Sequence, residues 1–173
     1  MENKTVIETE RLILRHTEKS DANEMLKLFS DPIAMTYFPD VKDIDGVLEW
    51  IEFIQSCYAS EGYGFYTAVR KEDQKIIGYC GLILQKDVDG KDETEIGYAL
   101  IRDFWKNGYA SEAAIACRKY GFNVLGKEKL ISLIRPDNCA SIEVALKNGL
   151  QWEKDIHRWD YTHSVYSVKK EAC

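Results

Sequence analysis

Three apolar runs joined by two short polar turns, followed at once by a run of different period, constrain this chain more than any other feature. Gly64 to Arg70, Lys75 to Gln85 and Glu93 to Ile101 read as strands. The turns between them are Lys71-Glu72-Asp73-Gln74 and Asp87-Val88-Asp89-Gly90, short enough to make the three strands antiparallel neighbours. From Ala110 the apolar positions fall at 110, 113, 114, 117, 121 and 124, which is helical spacing. The stripe is rich in alanine, so its helix can lie close against the sheet.

The flanking segments extend this pattern. Thr9 to Arg15, with Leu12-Ile13-Leu14 between charges, reads as a first strand. Ser20-Asp21 offers an N-cap with Glu24 behind it, and Ala22, Met25, Leu26 and Phe29 share a face, so a helix is expected over about Ser20 to Phe29. Asp31-Pro32 ends it. Val47, Trp50, Ile51, Ile54 and Tyr58 mark a second helix from Ile44 to Glu61, stopped by Gly62. Lys129 to Arg135 is a strand and Pro136-Asp137-Asn138 a turn and cap. Ile142, Ala145 and Leu146 mark a helix closed by Asn148-Gly149, and Gln151 to Arg158 with Tyr161 to Lys169 form a hairpin. The order predicts an α/β (α+β) fold, a single mixed, mostly antiparallel seven-stranded sheet flanked by four helices. No repeat or linker divides the chain, so residues 1–173 are expected to form one domain.

Composition narrows the function classes. The 23 Lys+Arg against 29 Asp+Glu give a net charge of −6, the wrong sign for a nucleic-acid binder, which needs a basic stripe. The longest apolar run, Ile76 to Leu84, is too short to span a bilayer, and the N-terminus has no signal-peptide pattern, so neither a membrane nor a secretory route is expected. Cys57, Cys80, Cys117, Cys139 and Cys173 are odd in number and widely spaced, which suits reduced thiols in a cytoplasm; the sequon Asn3-Lys4-Thr5 then has no role.

The chemistry concentrates between Glu95 and Ala113. There a strand enters a short loop whose Gly108 and Ala110 are small, and a helix starts directly, so several backbone N–H groups converge with the helix dipole behind them. Such a turn is an anion cradle; it is equally an ordinary strand-to-helix turn that needs a glycine. Gly121 to Lys127 has the spacing of a phosphate-binding loop. It carries Glu128 where a magnesium ligand belongs, and runs helix to strand, so it is set aside. His16, His157 and His163 form no metal motif; His157, Asp160 and His163 read as surface residues of the last hairpin, and no metal is expected. Trp50 and Tyr58 read as core.

The strand, then Trp105-x-x-Gly108-x-Ala110, then the alanine-rich helix resembles the acetyl-coenzyme A loop of the GNAT superfamily of N-acetyltransferases. The likeness continues through Glu8-Thr9-Glu10-Arg11-Leu12-Ile13-Leu14-Arg15, Ile77-Gly78-Tyr79-Cys80-Gly81-Leu82, Glu95-Ile96-Gly97-Tyr98, Asn138-Cys139-Ala140-Ser141-Ile142 and Lys147-Asn148-Gly149-Leu150. With Trp105 opening the loop, it is similar to the branch that contains the ribosomal-protein-alanine N-acetyltransferases.

The resemblance implies an acyl-coenzyme A acyltransferase fold and an enzyme that moves an acetyl group from acetyl-coenzyme A to a primary amine, with no metal. It also implies roles. The amides of Lys106, Asn107, Gly108, Tyr109, Ala110 and Ser111 would hold the pyrophosphate, Leu100 and Ile101 would pair with the pantetheine amides, and Asn138 would bond the pantetheine arm. Asn138 reads equally as a helix N-cap. Ser141 would lie near the thioester sulfur and protonate the thiolate, with Tyr161 and Tyr166 as rivals; it reads equally as a first-turn helix serine. Glu95 would be the base; strand alternation sets it beside Gly97 and Ala99 with room next to the carboxylate. The alternative is a solvated acid in the run 92–95. The amine acceptor is open: a protein N-terminus, a polyamine or another small amine. Asp40, Asp43, Asp45, Glu49 and Glu52 suit either a cationic acceptor or a solvated face. A monomer and a homodimer fit equally, and a non-catalytic acyl-coenzyme A-binding regulatory module of the same fold is the alternative function.

Overall fold

The computed structural model describes residues 4–171; Asn3 of the sequon and Cys173 lie outside the described residues. Its elements are β1 (Thr5–Glu8), β2 (Leu12–His16), α1 (Ala22–Phe29), α2 (Ile44–Glu61), β3 (Phe65–Arg70), β4 (Ile76–Val88), β5 (Lys91–Leu100), α3 (Tyr109–Asn123), β6 (Lys129–Ile134), α4 (Cys139–Lys147), β7 (Gln151–Arg158) and β8 (Tyr161–Lys169). The strands form one sheet in the order β1-β2-β3-β4-β5-β6-β8-β7. All neighbours pair antiparallel except β5 and β6.

The sheet has eight strands where seven were expected, because Thr9 to Arg11 is a turn between two strands. The Thr9 amide donates to the Leu12 carbonyl at 2.9 Å, and the Thr9 hydroxyl accepts from the Leu12 amide at 2.9 Å. The short charged β1 was hidden by that threonine.

Alternation along β4 assigns the two faces. Cys80 and Leu82 join the cluster that includes Ala113, Ala114 and Cys117 of α3, whereas Tyr79 packs with Phe29, Val47 and Ile51 of α1 and α2. The small α3 residues let that helix approach, and the Sγ atoms of Cys80 and Cys117 come within 3.6 Å as free thiols. Two positions on the expected helical stripes turn outward: Val124 follows the end of α3 and is exposed, and Leu146 of α4 is exposed while Ala145 is buried.

Asp21 stands at the N-cap of α1 as expected, but its side chain makes no cap bond to that helix. Its carboxylate is buried, takes two hydrogen bonds from Arg15 at 2.8 and 2.9 Å and one from Thr67 at 3.0 Å, and accepts the Glu18 amide to start a short 3-10 turn ahead of α1. The α2 cap at Gly62 (φ 81°) and the hairpin of β7 and β8 fall where the sequence puts them.

Candidate active site

Among the described residues β5 and β6 are the one parallel pair, joined only at Glu95 opposite Ile131. Beyond that point they part. Side chains fill the start of the gap: the Glu95 carboxylate accepts the Leu133 amide at 2.7 Å, and the Ser132 hydroxyl donates to the Ile96 carbonyl at 2.8 Å. Two cavities open from this gap.

The first, about 620 Å³, runs along the end of β5 to the N-terminus of α3. Its loop is held in a specific shape. Gly108 caps α3 at φ 81°, and Lys106 also has positive φ, so two of three consecutive loop residues take the left-handed conformation. Among the described residues, the amides of Lys106, Asn107, Gly108, Tyr109, Ala110 and Ser111 donate to no atom of the chain. A ligand rich in anionic oxygens is the natural acceptor for donors so arranged. Trp105 donates its indole N–H to the Leu100 carbonyl at 2.9 Å, tying the loop to the strand end.

A brace behind this loop was not foreseen. Arg11 pairs with Glu112 at 2.7 Å, donates to the Asn107 carbonyl at 3.0 Å and covers the Tyr109 ring at 4.3 Å; Thr9 donates to Glu112 at 2.6 Å. Nothing local in Thr9-Glu10-Arg11 signals this brace, because its partners Asn107, Tyr109 and Glu112 lie about a hundred residues away in the chain.

Of the two strand-end residues expected to offer amides, only Leu100 does so. The Ile101 amide donates to the Ile77 carbonyl at 2.8 Å, which fixes the alternation of the ladder: Ile96, Tyr98 and Leu100 turn their amides towards the gap, and Ile101 turns its own towards β4.

The second cavity, about 510 Å³, lies at the other end of the gap. Glu95 is on its wall, buried, with Oε2 held by Leu133 and Oε1 accepting from Gln85 at 2.9 Å. Burial pushes its carboxyl up to about 7, against the pull of those two donors and of the Arg158 guanidinium. The room expected beside it at Gly97 is filled: a Cβ there would stand 2.7 Å from the Phe65 ring. Burial also lowers the pKa of His163, on the same wall. Asp40, Asp43, Asp45, Glu49 and Glu52 do not line the cavity and are exposed; Asp43 caps α2 and Glu52 pairs with Lys19.

Tyr37, Phe38, Tyr98, Asn138 and Ser141 line both cavities. Asn138 does cap α4, accepting the Ser141 amide at 3.3 Å, and this bond also fixes Ser141 at the junction. Tyr98 donates its hydroxyl to the Ser141 carbonyl at 2.8 Å. Tyr166 lines neither cavity and packs with Ile134, Ala145 and Leu150, whereas Tyr161 lines the second. Tyr58 belongs to the core, bonded to the Phe65 carbonyl and stacked on His16 and Tyr66. Trp50 is both: it packs on Phe29 and Tyr79 and lines the second cavity. The pair His157 and His163 does not cluster, because opposite Thr162 and Ile156 they point to different faces of the hairpin. Among the described residues no three His, Cys, Asp or Glu side chains come together as a metal group, and no helix is long and apolar enough to cross a membrane.

Comparison with known proteins agrees with this architecture. The family model described as Acetyltransferase (GNAT) domain matches residues 11–151. An uncharacterized Bacillus subtilis (strain 168) protein, YkkB, is 38% identical over 170 residues, 98% of each chain. The acetyltransferase from Agrobacterium tumefaciens str. C58 superposes with a TM-score of 0.84 at 25% identity, covering 98% of this chain and 96% of that one. The RimL ribosomal L7/L12 alpha-N-protein acetyltransferase in complex with coenzyme A shares the fold with a TM-score of 0.77 at 17% identity over 93% of this chain and 95% of that one. A loop of free amides ahead of α3, a parted pair of parallel strands and a family match across most of the length have one common account: the chain belongs to the GNAT family of acetyltransferases, enzymes that use acetyl-coenzyme A.

Proposed function

We propose that the protein transfers the acetyl group of acetyl-coenzyme A directly to a primary amine, in a ternary complex without a covalent enzyme intermediate. The observation that carries the reading is the junction of the two cavities at Tyr98, Asn138 and Ser141, with free amides in one cavity and a buried carboxylate in the other. In this reading the amides from Lys106 to Ser111 take the pyrophosphate, the gap-facing edge of Tyr98 and Leu100 takes the pantetheine, and Asn138 flanks the arm. Acetyl-coenzyme A supplies the thioester.

The residues of the second cavity then handle protons. An amine arrives as ammonium, and Glu95, lifted to about 7, is ionised often enough near neutral pH to accept its proton and basic enough to hold it. As the N–C bond forms and the C–S bond breaks, the second proton of the attacking nitrogen passes through the Ser141 hydroxyl to the departing thiolate, so Ser141 ends as it began, while the first stays on Glu95 until solvent takes it. RimL shares the fold alone, so its acceptor is not carried over.

The test is release of free thiol from acetyl-coenzyme A in the presence of a panel of primary amines, with the acetylated product identified by mass. Amine-dependent thiol release is expected. Tight coenzyme A binding with no amine-dependent release would make the protein an acyl-coenzyme A-binding regulatory module instead.

A further inference from the structure

The second cavity has a composition that the transfer chemistry does not require. Phe38, Phe53, Trp159 and Tyr161 are 37%, 53%, 50% and 49% exposed, and all four line it. They come from three separate places: the loop after α1, the outer face of α2, and the turn and start of β8. A single exposed aromatic is ordinary. Four from distant segments turned into one hollow mark a binding surface, because no core packing accounts for them. Deeper in, Trp50, Phe65 and Tyr79 continue the aromatic wall.

The charges on that wall are as selective as its rings. Among the described residues, Glu95 is the only Asp or Glu that lines the cavity. Opposite in sign is Arg135, whose guanidinium lies 3.9 Å over the Tyr161 ring and 5.6 Å from that of Tyr37; its nearest carboxylate, Asp137, stands off at 3.9 Å. A ligand with one ammonium has one carboxylate to meet. A ligand with a second ammonium meets no second carboxylate, and a fixed cation repels it.

We infer that the acceptor is a small monoamine whose amino group is carried on an aromatic or broad apolar body, with the ammonium directed to Glu95 and the body held among Phe38, Phe53, Trp159 and Tyr161. The inference rests on the acetyl-transfer reading for its chemistry. A volume of about 510 Å³ is in the range of small-molecule sites, and the rings offer both contact area and favourable faces for a cation passing inward.

Specificity is measured at saturating acetyl-coenzyme A with tryptamine, 2-phenylethylamine, n-propylamine, spermidine, an aminoglycoside and a short peptide with a free N-terminus. Tryptamine or 2-phenylethylamine should exceed n-propylamine and spermidine in kcat/KM by at least tenfold, about 1.4 kcal/mol. Phe53→Ala and Trp159→Ala should each lower that aryl-over-alkyl preference severalfold, with unchanged coenzyme A affinity reporting an intact fold. A higher kcat/KM for spermidine, the aminoglycoside or the peptide overturns the inference, as does a preference untouched by either variant in folded protein. If no amine is acetylated, the transfer reading fails by itself, and calorimetry of tryptamine with the coenzyme A complex decides the cavity. Saturable binding weakened in Phe53→Ala supports the aromatic site, and no binding overturns it.

Discussion

The groove proposed for coenzyme A and the cavity proposed for the acceptor share a wall but are built by opposite means. The groove is made of main chain: a capping glycine, a second residue at positive φ, free amides and the outer edge of a strand. The cavity is made of side chains that meet only after folding, from residues 37 to 163. A backbone-built site tolerates many sequences as long as its small residues and loop geometry survive. A side-chain-built site changes partner with each substitution, so one fold can keep its donor and vary its acceptor.

The largest test of this division is Glu95→Gln. It removes a proton acceptor from the side-chain site and leaves the groove alone, so turnover should fall by roughly 10²–10⁴-fold while coenzyme A affinity, measured by calorimetry, stays level. The wild-type rate should rise with pH through a limb near 7, and that limb should vanish in the variant. Stability supplies an independent reading. The folded state holds the Glu95 proton up to about 7 whereas the unfolded chain releases it near its ordinary 4.5. Stability from this group is therefore full below the lower value and lost as pH rises through the upper one. Melting temperatures of the Gln variant should gain on wild type as pH rises through that window, and parallel curves would show that Glu95 is not held neutral.

Ser141→Ala comes next. It stands at the shared wall, so it should lower turnover by up to about 10²-fold with little change in coenzyme A affinity. Equal losses in both would move Ser141 from proton donor to positioning residue. Gly108→Val strikes the groove instead. A Cβ at Gly108 would meet only Arg11 Nη2, at 3.5 Å, so space is not the obstacle; a β-branched residue at φ 81° is. Coenzyme A affinity should fall at least tenfold in folded protein, about 1.4 kcal/mol. The smallest effect belongs to Arg11→Ala, which removes a half-exposed ion pair behind the loop. A two- to fivefold weaker coenzyme A affinity, in line with about 1 kcal/mol for such pairs, would show that the brace shapes the loop.

What the sequence reveals follows the same division. α2, the hairpin of β7 and β8 and the cap at Gly108 are legible because local spacing and glycine chemistry specify them. The strand β1 was not, since Thr9 reads as strand until its hydroxyl is seen to close a turn. The Asp21 side chain looked like a cap because the sequence does not show that Arg15 and Thr67 lie beside it. That the Ile101 amide faces β4 while those of Tyr98 and Leu100 face the gap was not legible, because the alternation of a ladder depends on register, which adjacent letters do not carry. The aromatic cavity was illegible for the deepest reason: Phe53 and Trp159 are 106 positions apart in the chain and have no common local pattern.

The bond from the Leu133 amide to Glu95 bears on how relatives of this protein should be read. At the point where two parallel strands part, the carboxylate stands in for a missing strand and gives Leu133 an acceptor it would otherwise lack. A lineage that abandons catalysis loses this joint if it shortens that side chain, and leaves the Leu133 amide to find its acceptor in the cavity. Glutamine would preserve the joint and remove the proton acceptor we propose. An oxygen-bearing residue at this position therefore certifies the architecture, and only a titratable one speaks for the reaction. An alanine variant would confuse the two, by loosening the sheet and disabling the base in a single change.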